Sequence, residues 1–273
     1  MDLLLVDIGN THIHYTVSGE APALPNPQTW PTAKLLAGKI PPEWQASTLT
    51  LKGIAYCTVV PKAERMIEDF HQNHHPNGLL MRLTPETFPG IPLAYPNPLE
   101  IGPDRLANAV SAYHDFALPA VVIDLGTAVT FDIITRQGGY EGGIIAPGIG
   151  LMTRYLHQQT ALLPQLKEPF TYASAIGTST REAMSIGCVV GFRGTIRALL
   201  QEVSEELDRR KTPLQSLIFT GGTGFLFANE EEMNKTHQSL VPKADSPKIT
   251  HSPFLTLRGL QLTFDYHHSD RNK

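Results

Sequence analysis

Leu3-Leu4-Leu5-Val6 is a short apolar run that stops at Asp7-Ile8-Gly9-Asn10-Thr11, and β-branched and aromatic residues resume from His12 to Val17. Short apolar runs bounded by turn residues predict buried strands, so the chain opens on a hairpin. The pattern returns mid-chain. Ala120-Val121-Val122-Ile123 leads into Asp124-Leu125-Gly126-Thr127-Ala128, and Val129 to Ile134 runs back. Strand, Asp-x-Gly turn and strand, met twice, is what a duplicated domain opening would leave. Leu217-Ile218-Phe219 predicts another strand, entering Thr220-Gly221-Gly222-Thr223-Gly224. Between the hairpins, a proline-rich stretch covers 21–42, a strand is expected over 53–60 and a helix over 62–75. The polar segment 229–251 reads as a loop.

Two helix starts are legible. Pro103 after Gly102 suits a first helical position, and Leu106, Ala109, Val110 and Tyr113 follow at helical spacing, which places Asp104 in the first turn. Ser179-Thr180-Arg181-Glu182 fits a capping box ahead of a helix reaching about Arg209, with Pro213 beyond.

Composition narrows the class. With 273 residues, 41% hydrophobic and 18% charged, the chain can bury the cores of two modest globular domains. A formal net charge of −4 offers no bulk attraction for nucleic acid or anionic lipid. Cys57 and Cys188 lack metal-ligand spacing and suit a reducing cytoplasm. The opening apolar run is too short for a signal peptide, and no run is expected to span a bilayer. His12 and His14, and the group His71, His74 and His75, lack partners at metal spacing.

A carboxylate at a strand end repels a bare phosphate unless a cation intervenes. With Mg²⁺ between them the two become partners, and the glycine turn lets backbone N–H groups approach the phosphates. Two Asp-x-Gly turns therefore point to a nucleotide-phosphate clamp. On its own Asp104 could equally be a first-turn acid, favouring its helix by about 0.3–1 kcal/mol.

Taken in order, Asp-x-Gly-Asn-Thr, Gly-x-Asp-Arg, Asp-x-Gly-Thr-Ala and Thr-Gly-Gly resemble the superfamily of actin, the Hsp70 chaperones and the acetate and sugar kinases. Tyr95-Pro96-Asn97-Pro98, Ile101-Gly102-Pro103-Asp104-Arg105, Gly142-Gly143-Ile144-Ile145-Ala146-Pro147-Gly148 and Ala175-Ile176-Gly177-Thr178-Ser179-Thr180 are similar to type III pantothenate kinases. This resemblance runs from Asp7 to about Leu260. It implies an α/β fold of two actin-like (ribonuclease H-like) domains, expected at 1–115 and 116–273, with a nucleotide cleft between them. It further implies ATP-dependent phosphorylation of pantothenate, a cytoplasmic homodimer, and no nucleic-acid or membrane partner.

Residue by residue, the resemblance implies that Asp7, Ile8, Gly9, Asn10, Thr11, His12, Ile13 and His14 cradle ATP and that Thr127 contacts it. Asp104 would be the catalytic base. Tyr95, Gly102, Pro103, Asp104, Arg105 and Thr180 would hold pantothenate. Asp124 would bind a monovalent cation, K⁺ or NH₄⁺, beside Mg²⁺; electrostatics alone leaves a second Mg²⁺ or a lysine open at that place. The sequence departs from the family pattern at Pro103, where a small residue is expected, and at Ser179, where asparagine is common. The rival readings are a kinase of the same superfamily acting on another hydroxy acid or sugar, and a non-catalytic ATP-binding regulator.

Overall fold

The opening apolar run forms β1 (Asp2–Ile8), and β2 (His12–Ser18) returns antiparallel to it with Asp7 opposite His14. The structure is a computed structural model describing residues 2–18, 24, 27–45, 51–167, 170, 172–222 and 247–268. The chain continues through β3 (Gln28–Pro31), α1 (Thr32–Leu36), β4 (Leu51–Thr58), α2 (Pro61–His74), β5 (Leu79–Arg82) and α3 (Pro103–Asp115). The second hairpin, β6 (Ala120–Leu125) and β7 (Ala128–Thr135), is followed by β8 (Gly139–Pro147), α4 (Ile149–Gln158), α5 (Thr180–Arg209), β9 (Ser216–Thr220), β10 (Lys248–His251) and α6 (Leu255–His268).

The repeat seen in the hairpins extends to whole sheets. One sheet has the order β3-β2-β1-β4-β5 and the other β8-β7-β6-β9-β10, the same connectivity twice. The proline-rich stretch is not featureless, since it contributes edge strand β3 and helix α1. In the polar segment expected to be a loop, 248–251 forms a strand, because Lys248 to His251 pair in parallel with Ser216 to Phe219. Its earlier part, like Thr223 and Gly224, lies outside the described residues.

The chain clusters into two compact units. One comprises Met1–Ala120, Asp132–Gly142 and Phe254–Lys273, the other Val121–Phe131 and Gly143–Pro253. In the first, strand alternation sends Leu4, Val6, Ile8, Ile13, Ile54 and Tyr56 to one face, against Leu35, Trp44, Ala63, Ile67 and Phe70. Helices α3 and α6 cover the opposite face. They meet so closely that a Cβ on Gly259 would lie 1.9 Å from the carbonyl oxygen of Ala107. Gly259→Ala is therefore expected to destabilise the fold by about 1–3 kcal/mol, as overpacked contacts do. Urea unfolding at constant slope would show it, and an unchanged midpoint would mean that the helices part without cost.

In the second unit, α5 is long and apolar enough to cross a membrane, by length and composition alone. This amends the sequence expectation. The helix also buries Met184, Cys188, Val189, Phe192, Ile196 and Leu200 at three- and four-residue steps, as a core helix does.

Candidate active site

The first turn is built from backbone and braced from outside. The Gly9 N–H donates to His12 O at 3.0 Å, while Thr32, at the start of α1, donates its hydroxyl to Gly9 O at 2.7 Å and its N–H to Thr11 O at 3.0 Å. Asn10, Thr11 and His12 are exposed. Ile8 and Ile13 are fully buried in the core, so they can offer a ligand only their backbone. His14 bonds the Thr29 hydroxyl, and burial, then the nearby His12, lowers its pKa.

Asp7 lies on the face of β1 away from that core. It is paired in register with Cys57, whose buried thiol donates to Asp7 Oδ1 at 3.3 Å. Burial raises the thiol well above its ordinary value, and the charges of Asp7 and Asp104 push it the same way. The Cys57 thiol thus lies on the Asp7 carboxylate, within reach of the charge of Asp104 at the start of α3.

Gly102 caps α3 and Pro103 occupies its first turn, as the sequence predicts. A Cβ on Gly102 would lie 2.5 Å from Asp104 Oδ1, so glycine here makes room for that carboxylate. Asp104 Oδ1 accepts the Arg105 N–H at 2.9 Å. Burial raises the Asp104 carboxyl above its ordinary value, with the Arg105 N–H and charge opposing the rise. A carboxylate displaced in this direction is a better proton acceptor near neutral pH.

Arg105 donates from Nε to Asp132 Oδ1 at 2.7 Å, and Tyr140 donates its hydroxyl to the same oxygen at 3.1 Å. Asp132 is fully buried, and burial raises its carboxyl to about 7 with Arg105 pulling the other way. The Arg105 guanidinium stands 5.8 Å from the Tyr140 ring centre, and Tyr95 packs against Tyr140 at 6.1 Å. The loop bearing Tyr95 is pinned to β8, because Tyr140 N–H donates to Pro92 O at 3.0 Å and Ala94 N–H to Tyr140 O at 2.9 Å. The fold thus joins Tyr95, Asp104 and Arg105 into one cluster and adds Cys57, Asp132 and Tyr140, which the sequence reading missed. A carboxylate inside the apolar strand Val129 to Ile134 was the available signal for Asp132.

The second unit carries the remaining residues. In its hairpin turn the Gly126 N–H donates to Ala128 O at 3.1 Å, and the Gly148 N–H donates to Thr127 O at 3.1 Å. Gly221, at φ +89°, approaches Asp124 so closely that a Cβ would lie 2.4 Å from Asp124 Oδ1, which only glycine permits. Ser179 caps α5 by accepting the Glu182 N–H at 3.2 Å. The Glu182 carboxylate bonds Thr178 N and Oγ1, at 2.9 and 2.8 Å. Thr180 is the first residue of that helix. Among the described residues, no group of three or more His, Cys, Asp or Glu is placed to hold a metal ion.

A family model described as type III pantothenate kinase matches residues 3–202. The chain belongs to the type III pantothenate kinase family. Among curated relatives of that name, one from Methylacidiphilum infernorum is 42% identical over 209 residues, covering 75% of this chain and 72% of the relative. Another, from Akkermansia muciniphila, is 36% identical over 269 residues, covering 96% and 98%. The fold is that of the actin-like ATPases. A ROK family glucokinase from Streptomyces griseus, solved with glucose and AMPPNP, aligns at a TM-score of 0.55 and 12% identity over 95% of this chain and 98% of that one. The ethanolamine utilization protein EutJ from Carboxydothermus hydrogenoformans aligns at 0.55 and 14% identity, over 96% and 90%.

Proposed function

We infer that this protein transfers the terminal phosphoryl group of ATP to the primary hydroxyl of pantothenate, yielding 4′-phosphopantothenate and ADP at the start of coenzyme A biosynthesis. Membership of the type III pantothenate kinase family carries this reading. Phosphoryl transfer needs alignment and charge neutralisation more than covalent help. As the hydroxyl oxygen bonds to the γ-phosphorus, Asp104 takes its proton and ADP leaves. The turn from Gly9 to His12, with its neighbours Asp7, Ile8, Ile13 and His14, is assigned to the ATP phosphates, and Thr127 to the same nucleotide.

Mg²⁺ would supply charge neutralisation at the phosphates. A monovalent cation is assigned to Asp124, whose carboxylate lies against the backbone at Gly221; a carboxylate beside phosphate oxygens suits a cation that tolerates loose geometry. A cytoplasmic homodimer is the expected state. The pairing of two copies is supported by the exposed Ile145, Tyr155, Leu162, Ile176 and Val190 in the second unit, and by the open space beside Gly187, Gly191 and Gly194 of α5.

A coupled ADP-release assay with pantothenate against a panel of sugars and hydroxy acids tests the reading. Stoichiometric ADP with pantothenate alone supports it. Release with a different acceptor would point to another kinase of the superfamily, and none with any acceptor to an ATP-binding regulator.

Pantothenate is assigned to Tyr95, the Gly102-Pro103-Asp104-Arg105 turn and Thr180, since an arginine and exposed helix N–H groups suit its carboxylate and amide. Thr180→Val and Arg105→Met are each expected to raise the pantothenate KM about tenfold, the effect of one lost polar contact of about 1.4 kcal/mol. Steady-state kinetics at saturating ATP measures this. An unchanged KM in both variants would take these residues out of the substrate site.

A further inference from the structure

We infer that Asp132 is a positioning residue of the substrate site: its buried carboxylate grips Arg105 through Nε and sets the plane in which the guanidinium meets the pantothenate carboxylate. This rests on the assignment of Arg105 as a substrate contact.

Asp132 sits in β7, fully buried, flanked in the strand by buried Phe131 and Ile134. An ionised group in such a place is costly unless well paired. Its compensation comes through one oxygen, Oδ1, which accepts from both Arg105 Nε and Tyr140 Oη. The other oxygen, Oδ2, is buried and accepts no hydrogen bond among the described residues. Replacing a buried ion pair by apolar side chains is often neutral or stabilising, so stability alone gives weak reason for a carboxylate here. Orientation gives a stronger one. The Asp132 bond holds the inner nitrogen of Arg105, and a bond at Nε constrains the plane of the guanidinium fork that recognises carboxylates.

Tyr140 completes the device. Its ring lies near the guanidinium, its hydroxyl shares the Asp132 oxygen, and its backbone holds the loop that carries Tyr95. Asp132 and Tyr140 lie on consecutive strands, β7 and β8, so one strand pair aims two assigned substrate contacts, Arg105 and Tyr95.

The experiment is steady-state kinetics on the full-length enzyme, with pantothenate and ATP varied separately, for Asp132→Asn, Tyr140→Phe, Arg105→Met and the Asp132→Asn/Arg105→Met double variant, each with its melting temperature. Asp132→Asn keeps the shape and an acceptor oxygen but removes the charge. It is expected to raise the pantothenate KM about tenfold while kcat and the ATP KM change by less than about threefold. Tyr140→Phe should move the same constant in the same direction by less. In the Arg105→Met background, Asp132→Asn should add no further rise, because its effect passes through Arg105. Should Asp132→Asn fail to fold, a selective KM rise in Tyr140→Phe upholds the inference and an unchanged KM there overturns it.

A KM raised by Arg105→Met but unmoved by Asp132→Asn and Tyr140→Phe overturns the positioning role and leaves Arg105 as a contact. A KM unmoved by Arg105→Met overturns both. Parallel losses in kcat, both KM values and melting temperature would mark Asp132 as structural only and overturn the inference.

Discussion

Asp104→Asn is expected to lower kcat by about 10²–10⁴-fold, the span of general-base catalysis, while pantothenate and ATP still bind. The substitution keeps size and the acceptor that meets the Arg105 N–H but removes the proton acceptor. The pH profile supplies a second reading. The base must be ionised to act, and burial raises its carboxyl, so kcat should fall as pH drops through a limb lying above the ordinary carboxylate value of about 4. In Asp104→Asn that limb should vanish from the residual activity. Turnover within a few-fold of the parent would exclude Asp104 as the base.

Activity is also expected to require K⁺ or NH₄⁺ besides Mg²⁺, and Asp124→Asn should abolish the response. A polyphosphate flanked by carboxylates holds more negative charge than one octahedral Mg²⁺ can neutralise while keeping its shell. The Asp124 carboxylate lies beside Gly221, where the absence of a side chain leaves it room. Initial rates measured with tetramethylammonium as the sole monovalent cation, then titrated with KCl, check this. Full activity without K⁺ or NH₄⁺ would sink the requirement, and a retained K⁺ response in Asp124→Asn would move the site elsewhere.

Both hairpins, the start of α3 and the cap of α5 were legible because each is decided within a few residues. An apolar run ending in Asp-x-Gly must turn, Pro103 can lead a helix but not continue one, and Ser179 offers its oxygen to a helix N–H three residues on. The ordered motifs between Asp7 and Thr180 carried the family as well. Strand β3 and helix α1 were hidden by prolines that read as loop. Thr32, which braces the turn at Gly9, was hidden with them. Strand β10 was hidden in a polar segment, because an edge strand needs little apolar surface of its own.

By itself, then, the sequence determined the local turns, the helix starts, the duplicated hairpin and the placing of carboxylates at their ends. Tertiary structure decided which distant groups meet them. Cys57 lies 50 residues from Asp7, yet parallel pairing of β1 with β4 puts its thiol on that carboxylate. Asp132 lies 27 residues from Arg105, and the burial of β7 alone makes it that arginine's partner. Helix α6, last in the described chain, returns to α3 because Gly259 lets it touch the Ala107 backbone. Turn and cap preferences act over a few bonds and leave a trace in a short window of sequence. Sheet order, register and helix docking are set by the burial of whole faces, which no single window contains.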